Sequence, residues 1–371
     1  MVERRVLWLV KGLGPGGAER LLVGAASAHD TQRFAFDCAY LLPWKDALVA
    51  DLEKRGVGTR CLGVRREQDL RWAGRLRRLL REQHYDVLHA HSPYAAAVAR
   101  LVVRSLPRRH RPRLVYTTHN TWKSFRWPTR LFNAVTLPLD DAEIVISEEA
   151  RATVWRPLRR RCEVVVHGVV LDEVRAARGE RAAVRAELGL ADDEVAVGTV
   201  ANYRAQKDWP NLLGAARRLV DDGVPVRFVA IGQGPLEDEV HALHERLALG
   251  DRVLLLGMRD DAVRVMAGCD VFALASAWEG LPVAVMEALA LGLPVVATEV
   301  GGLARMVTEG VEGLLVPPGR PDLLAAAIAS LAVDPERRVQ MGAAASLRAE
   351  SFDIANAVRR IEEIYEEVLA P

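Results

Sequence analysis

Short runs of β-branched and aliphatic residues alternate with longer stretches of helical periodicity along the whole chain, a pattern of βαβ units built on parallel sheets. In the first half, strands are predicted at 5–10, 34–42, 86–89, 113–118, 143–146 and 162–166. In the second half they are predicted at 195–200, 226–231, 252–256, 271–274, 294–297 and 313–316. Between them lie amphipathic stretches such as 68–83, with Trp72, Leu76, Leu79 and Leu80 on one face. Six strands per half imply an α/β protein of two Rossmann-like domains, 1–170 and 171–350. Strand signals stop over 167–180, where Gly168 and Gly179 bracket a polar stretch. The segment 351–371 reads as a final helix with apolar Ile354, Val358, Ile361, Ile364 and Tyr365; it needs a surface, which either domain offers, including by crossing back to the N-terminal one.

Composition narrows the class. Half of the 371 residues are hydrophobic and 27% are charged, which supports a large core and excludes intrinsic disorder. The cysteines Cys38, Cys61, Cys162 and Cys269 are scattered, neither a disulfide framework nor a zinc motif. Lys11 cuts short the first apolar run, and no uncharged stretch reaches the ~18 residues of a membrane span. A cytoplasmic protein is expected, with a peripheral contact at the inner face of a membrane left open.

The net charge of +1 conceals an asymmetry. Residues 1–170 carry 30 Lys and Arg against 17 Asp and Glu, a net +13, and the remainder 20 against 32, a net −12. The basic excess gathers at Arg71, Arg75, Arg77, Arg78 and Arg81, in six arginines over 100–113, and in Trp122-Lys123-Ser124-Phe125-Arg126-Trp127. Cations interleaved with aromatics suit an anionic membrane or acceptor. An ordinary solvated surface is the competing reading, and nucleic acid ranks last.

Two turns carry candidate chemistry. Gly12-Leu13-Gly14-Pro15-Gly16-Gly17 follows a strand and precedes a helix over 18–28, as G-x-G-x-x-G does in dinucleotide-binding folds. The acidic residue such a site needs at the end of the second strand is represented only by Asp37, in mid-strand. A nicotinamide-dependent oxidoreductase therefore rests on this turn alone. The second turn, Ser276-Ala277-Trp278-Glu279-Gly280-Leu281-Pro282, follows a buried strand and opens a helix, with Pro282 expected in its first turn and Glu287 further along. A loop at the carboxyl end of a strand is where a doubly wound sheet binds its ligand.

From here the chain resembles a known family. Glu279-Gly280-Leu281-Pro282, Glu287-Ala288, Gly292-Leu293-Pro294 and Gly301-Gly302 are similar to the donor-binding signature of retaining family 4 glycosyltransferases of the GT-B fold. Gly16-Gly17-Ala18-Glu19-Arg20, the 85–92 segment with His89 and His91, Thr118-His119-Asn120, Lys207, Gly232-Gln233-Gly234-Pro235 and Cys269-Asp270-Val271 match further landmarks in order. The resemblance implies two Rossmann-like domains with parallel sheets facing across a cleft, the acceptor on the N-terminal side and the donor on the C-terminal side. It implies transfer of a hexose-type sugar from a nucleotide-diphosphate donor to an acceptor hydroxyl, with retention of anomeric configuration. The acceptor would be a glycan, a lipid-linked sugar or a small molecule.

It also implies roles. Lys207 would hold the diphosphate together with the amides of Gly280 and Leu281, Glu287 the ribose, and Glu279 the sugar near its anomeric carbon. His119 would reach the sugar or phosphate, and Gly16 and Gly17 would let backbone approach the donor. The family's arginine before the lysine is Asn202 here, with Arg204 the candidate substitute, and Arg305 stands where an acidic residue is common. Base-reading contacts are expected near Met258 and Arg259. No D-x-D triplet occurs, so no cofactor and no essential metal is expected; His89 and His91 alone make a poor metal pair, and His241 and His244 read as surface. A catalytically silent partner subunit, and an epimerase or phosphorylase of the same fold, are the remaining alternatives.

Overall fold

A computed structural model describes residues 4–370, apart from residues 15, 16, 67, 120, 123 and 124 and the side chains of residues 17 and 18. Of the motifs above, Pro15, Gly16, Asn120, Lys123 and Ser124 lie outside the described residues. The chain divides into two compact units, Met1–Val170 together with Ile354–Pro371, and Leu171–Asp353.

The first unit runs β1 (Arg4–Val10), α1 (Gly17–Ala28), β2 (Phe34–Tyr40), α2 (Val49–Lys54), β3 (Gly58–Cys61), α3 (Arg71–Glu82) and β4 (Val87–Ala90). It continues through α4 (Pro93–Arg104), β5 (Arg113–Thr118), α5 (Trp127–Thr136), β6 (Ala142–Val145), α6 (Glu148–Thr153) and β7 (Cys162–Val164). The strands form one parallel sheet in the order β3-β2-β1-β4-β5-β6-β7. β1 is buried along its Val6–Val10 stretch because helices cover both faces of the sheet, which is why it reads as a continuous apolar run rather than an alternating one.

Two expectations need correction here. β3 carries no strand signal in the sequence, since it is a four-residue edge strand containing Gly58 and Arg60. Glycine is required at its start, because a Cβ on Gly58 would lie 2.2 Å from Oδ1 of Asp37. β2 stops at Tyr40, two residues early, because the amides of Leu41 and Leu42 turn to the carbonyl of Lys11 at 3.2 and 3.1 Å.

The second unit contains α7 (Leu171–Ala176), α8 (Arg181–Glu187), β8 (Val195–Val200), α9 (Trp209–Asp221), β9 (Val226–Ile231), α10 (Glu237–Arg246), β10 (Val253–Leu255) and α11 (Ala262–Ala267). Then follow β11 (Val271–Leu274), α12 (Val283–Leu291), β12 (Val295–Thr298), α13 (Leu303–Met306), β13 (Gly313–Val316), α14 (Pro321–Ala332) and α15 (Pro335–Arg348). Its parallel sheet has the order β10-β9-β8-β11-β12-β13. α12 is apolar all round and buried except near Glu287, and Gly292 ends it in the left-handed region at φ 76°, turning the chain into β12.

The last helix, α16 (Ile354–Leu369), belongs to the first unit. Ile354, Val358, Ile361, Ile364 and Tyr365 pack into the core that holds Trp8, Leu22, Ala25 and Phe34. Polar ties fix it: Glu362 accepts from the amide of Asp30 at 3.0 Å and pairs with His29, and Arg33 bonds Glu366. Among the described residues no helix is long and apolar enough to cross a membrane.

Candidate functional site

In the second sheet the strand order reverses between β8 and β11, and the loops leaving the carboxyl ends of β8, β11 and β12 meet there. Such a switch point is the ordinary ligand crevice of a doubly wound sheet. The loop after β8 is locked onto the loop after β9: Tyr203 donates its amide to Gln233 at 3.0 Å, and Leu236 donates to Tyr203 at 3.1 Å. The fit requires glycine, since a Cβ on Gly232 would sit 2.0 Å from the carbonyl oxygen of Ala201. Asp208 then adopts φ 45° and ψ 55°, a left-handed conformation uncommon for a residue with a side chain. It makes the sharp turn between Lys207 and α9.

Lys207 meets the loop after β11. Its Nζ donates to Oε1 of Glu279, which also accepts from Ser276 Oγ at 2.7 Å, while Gln206 Nε2 donates to Oε2 at 3.2 Å. The Glu279 side chain is only 5% exposed, so nearly all of its carboxylate is held by these three donors. Thr298 at the end of β12 donates to the carbonyl of Ser276 at 2.6 Å, tying the third loop in. Gly301 and Gly302 press against the backbone of Glu279 and Gly280: a Cβ on either would come within 2.0 Å of a carbonyl oxygen there.

The amides of Gly280 and Leu281 donate to no acceptor among the described residues, and the space beside Gly280 is open. Pro282 is the N-cap of α12 rather than part of its first turn, so these two amides precede the helix instead of beginning it. Both they and the first amides of α12 lie at its partially positive end. Glu287 is half-buried on α12. Arg204 is exposed, and its side chain has no partner among the described residues. The structure thus joins Lys207 and Glu279 into one cluster, and adds Gln206 and Ser276, which the sequence reading missed. Their signal was position alone: Gln206 adjoins the lysine and Ser276 opens the glutamate loop.

His119 lies in the first unit, beyond the end of β5, within a histidine cluster. Its Nε2 is 3.1 Å from Nδ1 of His91, and its ring stacks on His167 with centroids 5.1 Å apart. Burial holds His119 and His91 well below the usual imidazole range, with the neighbouring histidines adding to the effect, and holds His167 at about 4. All three are therefore neutral near pH 7, and Nδ1 of His119 is buried without a partner among the described residues. His89 uses both ring nitrogens, on Tyr365 Oη at 2.6 Å and Thr117 Oγ1 at 2.7 Å. Among the described residues no group of three or more histidine, cysteine or carboxylate side chains is placed to hold a metal ion. Gly17 opens α1. Asp37 is committed to the protein, accepting from Tyr85 Oη at 2.6 Å and Arg5 Nη2 at 3.0 Å, which removes the ribose ligand of the oxidoreductase alternative.

Comparison with known proteins gives the family. Residues 3–173 match the family model for Glycosyltransferase Family 4, and residues 180–348 the model for Glycosyl transferases group 1. A D-inositol 3-phosphate glycosyltransferase of Kribbella flavida is 32% identical over 294 residues, 72% of this chain and 68% of that one. The UDP-Gal:alpha-D-GlcNAc-diphosphoundecaprenol alpha-1,3-galactosyltransferase of Escherichia coli is 25% identical over 344 residues, 87% of this chain and 86% of that one. The crystal structure of Anabaena Alr3699/HepE in complex with UDP and glucose has a TM-score of 0.84 at 23% identity, covering 98% of this chain and 100% of that one. The chain therefore belongs to the family 4, group 1 glycosyltransferases, and its two doubly wound units are those of the GT-B fold.

Proposed function

We propose that this glycosyltransferase, whose donor is a nucleotide sugar, transfers a hexose to an acceptor hydroxyl with retention at the anomeric carbon and without an essential metal. The observation that carries the reading is the Lys207–Glu279 pair at the switch point of the second sheet. As the bond from the anomeric carbon to the diphosphate breaks, negative charge gathers on the leaving phosphates and positive charge on the sugar. Lys207, the amides of Gly280 and Leu281 and the positive end of α12 oppose the first; Arg204 is a second cation on the same loop. These fixed positive groups take the place a divalent ion would have.

Glu279 opposes the second charge. Three donors occupy its carboxylate, which makes it a poor nucleophile and a good fixed negative charge. Retention then comes from attack on the face the diphosphate leaves, the acceptor proton departing with a phosphate oxygen, and not through a covalent glycosyl–Glu279. Glu287 accepts from the ribose hydroxyls. His119, neutral through burial, hydrogen-bonds sugar or phosphate without adding charge. The acceptor is a glycan, a lipid-linked sugar or a small molecule, and the reaction is assigned to the bacterial cytoplasm.

A thermal-shift panel of UDP-, GDP-, ADP- and dTDP-hexoses tests the donor, because only a bound one raises the midpoint. UDP-sugars come first, since the Escherichia coli relative is a UDP-Gal galactosyltransferase. With the donor found, the anomeric proton coupling of the product tests the stereochemistry. An inverted product or a trapped glycosyl–Glu279 overturns the mechanism, and the absence of nucleoside diphosphate release with every donor overturns the activity.

A further inference from the structure

Helix α5 packs Phe132 and Ala134 on apolar neighbours, yet buries a polar pair most deeply and leaves an apolar stripe outside. Its inward residues Asn133 and Thr136 are polar and buried, and they hold the buried guanidinium of Arg100 through bonds of 2.6 and 3.0 Å from Nη1. Asp140, just past the helix, takes the other edge of that guanidinium at 2.8 and 2.6 Å. The outward residues are apolar: Trp127, Leu131 and Val135 are 70%, 56% and 68% exposed. Spaced four apart, they form one stripe along the helix. A helix on a soluble domain ordinarily does the reverse, with its apolar stripe inward.

Cations flank the stripe. Arg126 and Arg130 are exposed and pair with no carboxylate among the described residues. Arg104 of the neighbouring α4 reaches across to the carbonyl of Leu139 at 3.0 Å, and Leu101, one turn away on α4, is also exposed. Arg161 bonds the carbonyl of Pro138 at 3.2 Å at the far end. No acidic side chain interrupts 121–139, and residues 1–170 hold the +13 charge.

We propose that α5 docks this chain on an anionic lipid bilayer. Trp127 sits at the headgroup level, Leu131 and Val135 enter the acyl boundary, and the arginines meet lipid phosphates. A second copy of the chain fits this face poorly, because a two-fold contact would bring four arginines together with no carboxylate to meet them. A nucleic acid fits it poorly too, since Leu131 and Val135 offer bases nothing to stack on. α5 follows β5 and His119 in the chain, so docking brings the headgroup region to the carboxyl edge of the first sheet. That placement suits an acceptor carried on a lipid, a consequence that rests on the glycosyltransferase reading, whereas the docking does not.

The test is sedimentation of the full chain with vesicles of phosphatidylcholine, alone or equimolar with phosphatidylglycerol. The wild type is expected to bind the anionic vesicles at least about tenfold more strongly, with binding falling as salt rises. Leu131→Asp with Val135→Asp is expected to lose that binding about tenfold or more at unchanged Tm, since both side chains already face water. Arg126→Gln and Arg130→Gln are each expected to weaken it about fivefold. Equal binding to both vesicles, no binding, or an unaffected Leu131→Asp/Val135→Asp variant overturns the proposal. So does a wild-type dimer that this variant dissolves without change in vesicle binding. Donor hydrolysis without vesicles is measured in parallel; its absence speaks against the catalytic reading and leaves the docking result standing.

Discussion

The ammonium of Lys207 rests on the carboxylate of Glu279, so the cation assigned to the diphosphate and the anion assigned to the sugar are one coupled pair. Removing either disturbs the other. Lys207→Ala is expected to raise the donor KM and also to lower kcat, because Glu279 loses a donor that orients it. Glu279→Gln is expected to lower kcat by about a hundredfold with a smaller change in KM. The double variant should fall short of the product of the single effects by about 1 kcal/mol or more of coupling. Lys207→Ala should also reduce stability by about 3 kcal/mol, since it leaves a buried carboxylate without its counter-ion. Additive kinetics would separate the two residues and sink the pairing as a functional unit.

The glycines of this site divide by what a methyl group would meet. At Gly301, with φ 51°, a Cβ would strike the carbonyl oxygen of Glu279, whereas at Gly280 it meets open space. Gly301→Ala is expected to lower Tm and displace Glu279, costing at least about 2 kcal/mol of stability as well as activity. Gly280→Ala is expected to leave Tm unchanged and raise the donor KM, because the open space is where phosphate oxygens approach the amide. An unchanged KM in Gly280→Ala would move the diphosphate elsewhere.

The sequence displayed these elements unequally. The strands of the second sheet stood out because both faces are buried, so apolar runs such as Val195–Val200 and Val271–Leu274 mark them directly. β3 did not, since an edge strand of Gly58 to Cys61 has no apolar face to display. The stripe of α16 was legible but not its destination, which depends on His89 meeting Tyr365 and Glu362 meeting Asp30 across more than 270 residues. In the site, Glu279 and Lys207 were found singly through their motifs. Their contact was not, because 72 residues separate them and only the reversal of strand order joins β8 to β11. The inverted polarity of α5 was likewise hidden: periodicity puts Trp127, Leu131 and Val135 on one face without saying that Arg100 claims the other.

The histidine cluster makes stability depend on pH. His89 and His167 are buried and His91 and His119 half-buried, and desolvation lowers the proton affinity of all four, so the folded state binds fewer protons than the unfolded one. Their contribution is complete above the unfolded value of about 6.5 and is lost as pH falls toward the folded values. Glu143, pushed up to about 7 by burial, and Asp140, pushed up to about 6 by burial against the pull of Arg100, act in the opposite sense. Each group contributes a slope of at most about 1.4 kcal/mol per pH unit, and the four histidines outweigh the two carboxylates, so stability falls below pH 6. Urea denaturation at pH 7.5, 6 and 5 should show this fall, and His167→Phe should reduce the slope by about one histidine's share. A flat profile would mean that the cluster opens to water at little cost.

Arg100 and Asp140 supply the last test, because they decide whether polar contacts hold α5 to its unit. Their side chains are 1% and 3% exposed, and the guanidinium is met on both edges, by Asp140 on one and by Asn133 and Thr136 on the other. Asp140→Ala leaves that charge buried without a counter-ion and is expected to cost about 3–5 kcal/mol. Replacing the pair together, Arg100→Met with Asp140→Leu, removes the charge as well as its partner and is expected to return stability to within about 1 kcal/mol of the wild type. Hydrogen exchange at the amides of α5 should follow the same order, fast in the single variant and slow in the double. A single variant that loses less than about 1 kcal/mol would show that the helix is held by the apolar contacts of Phe132 and Leu137 instead, and that its inward polar face is incidental.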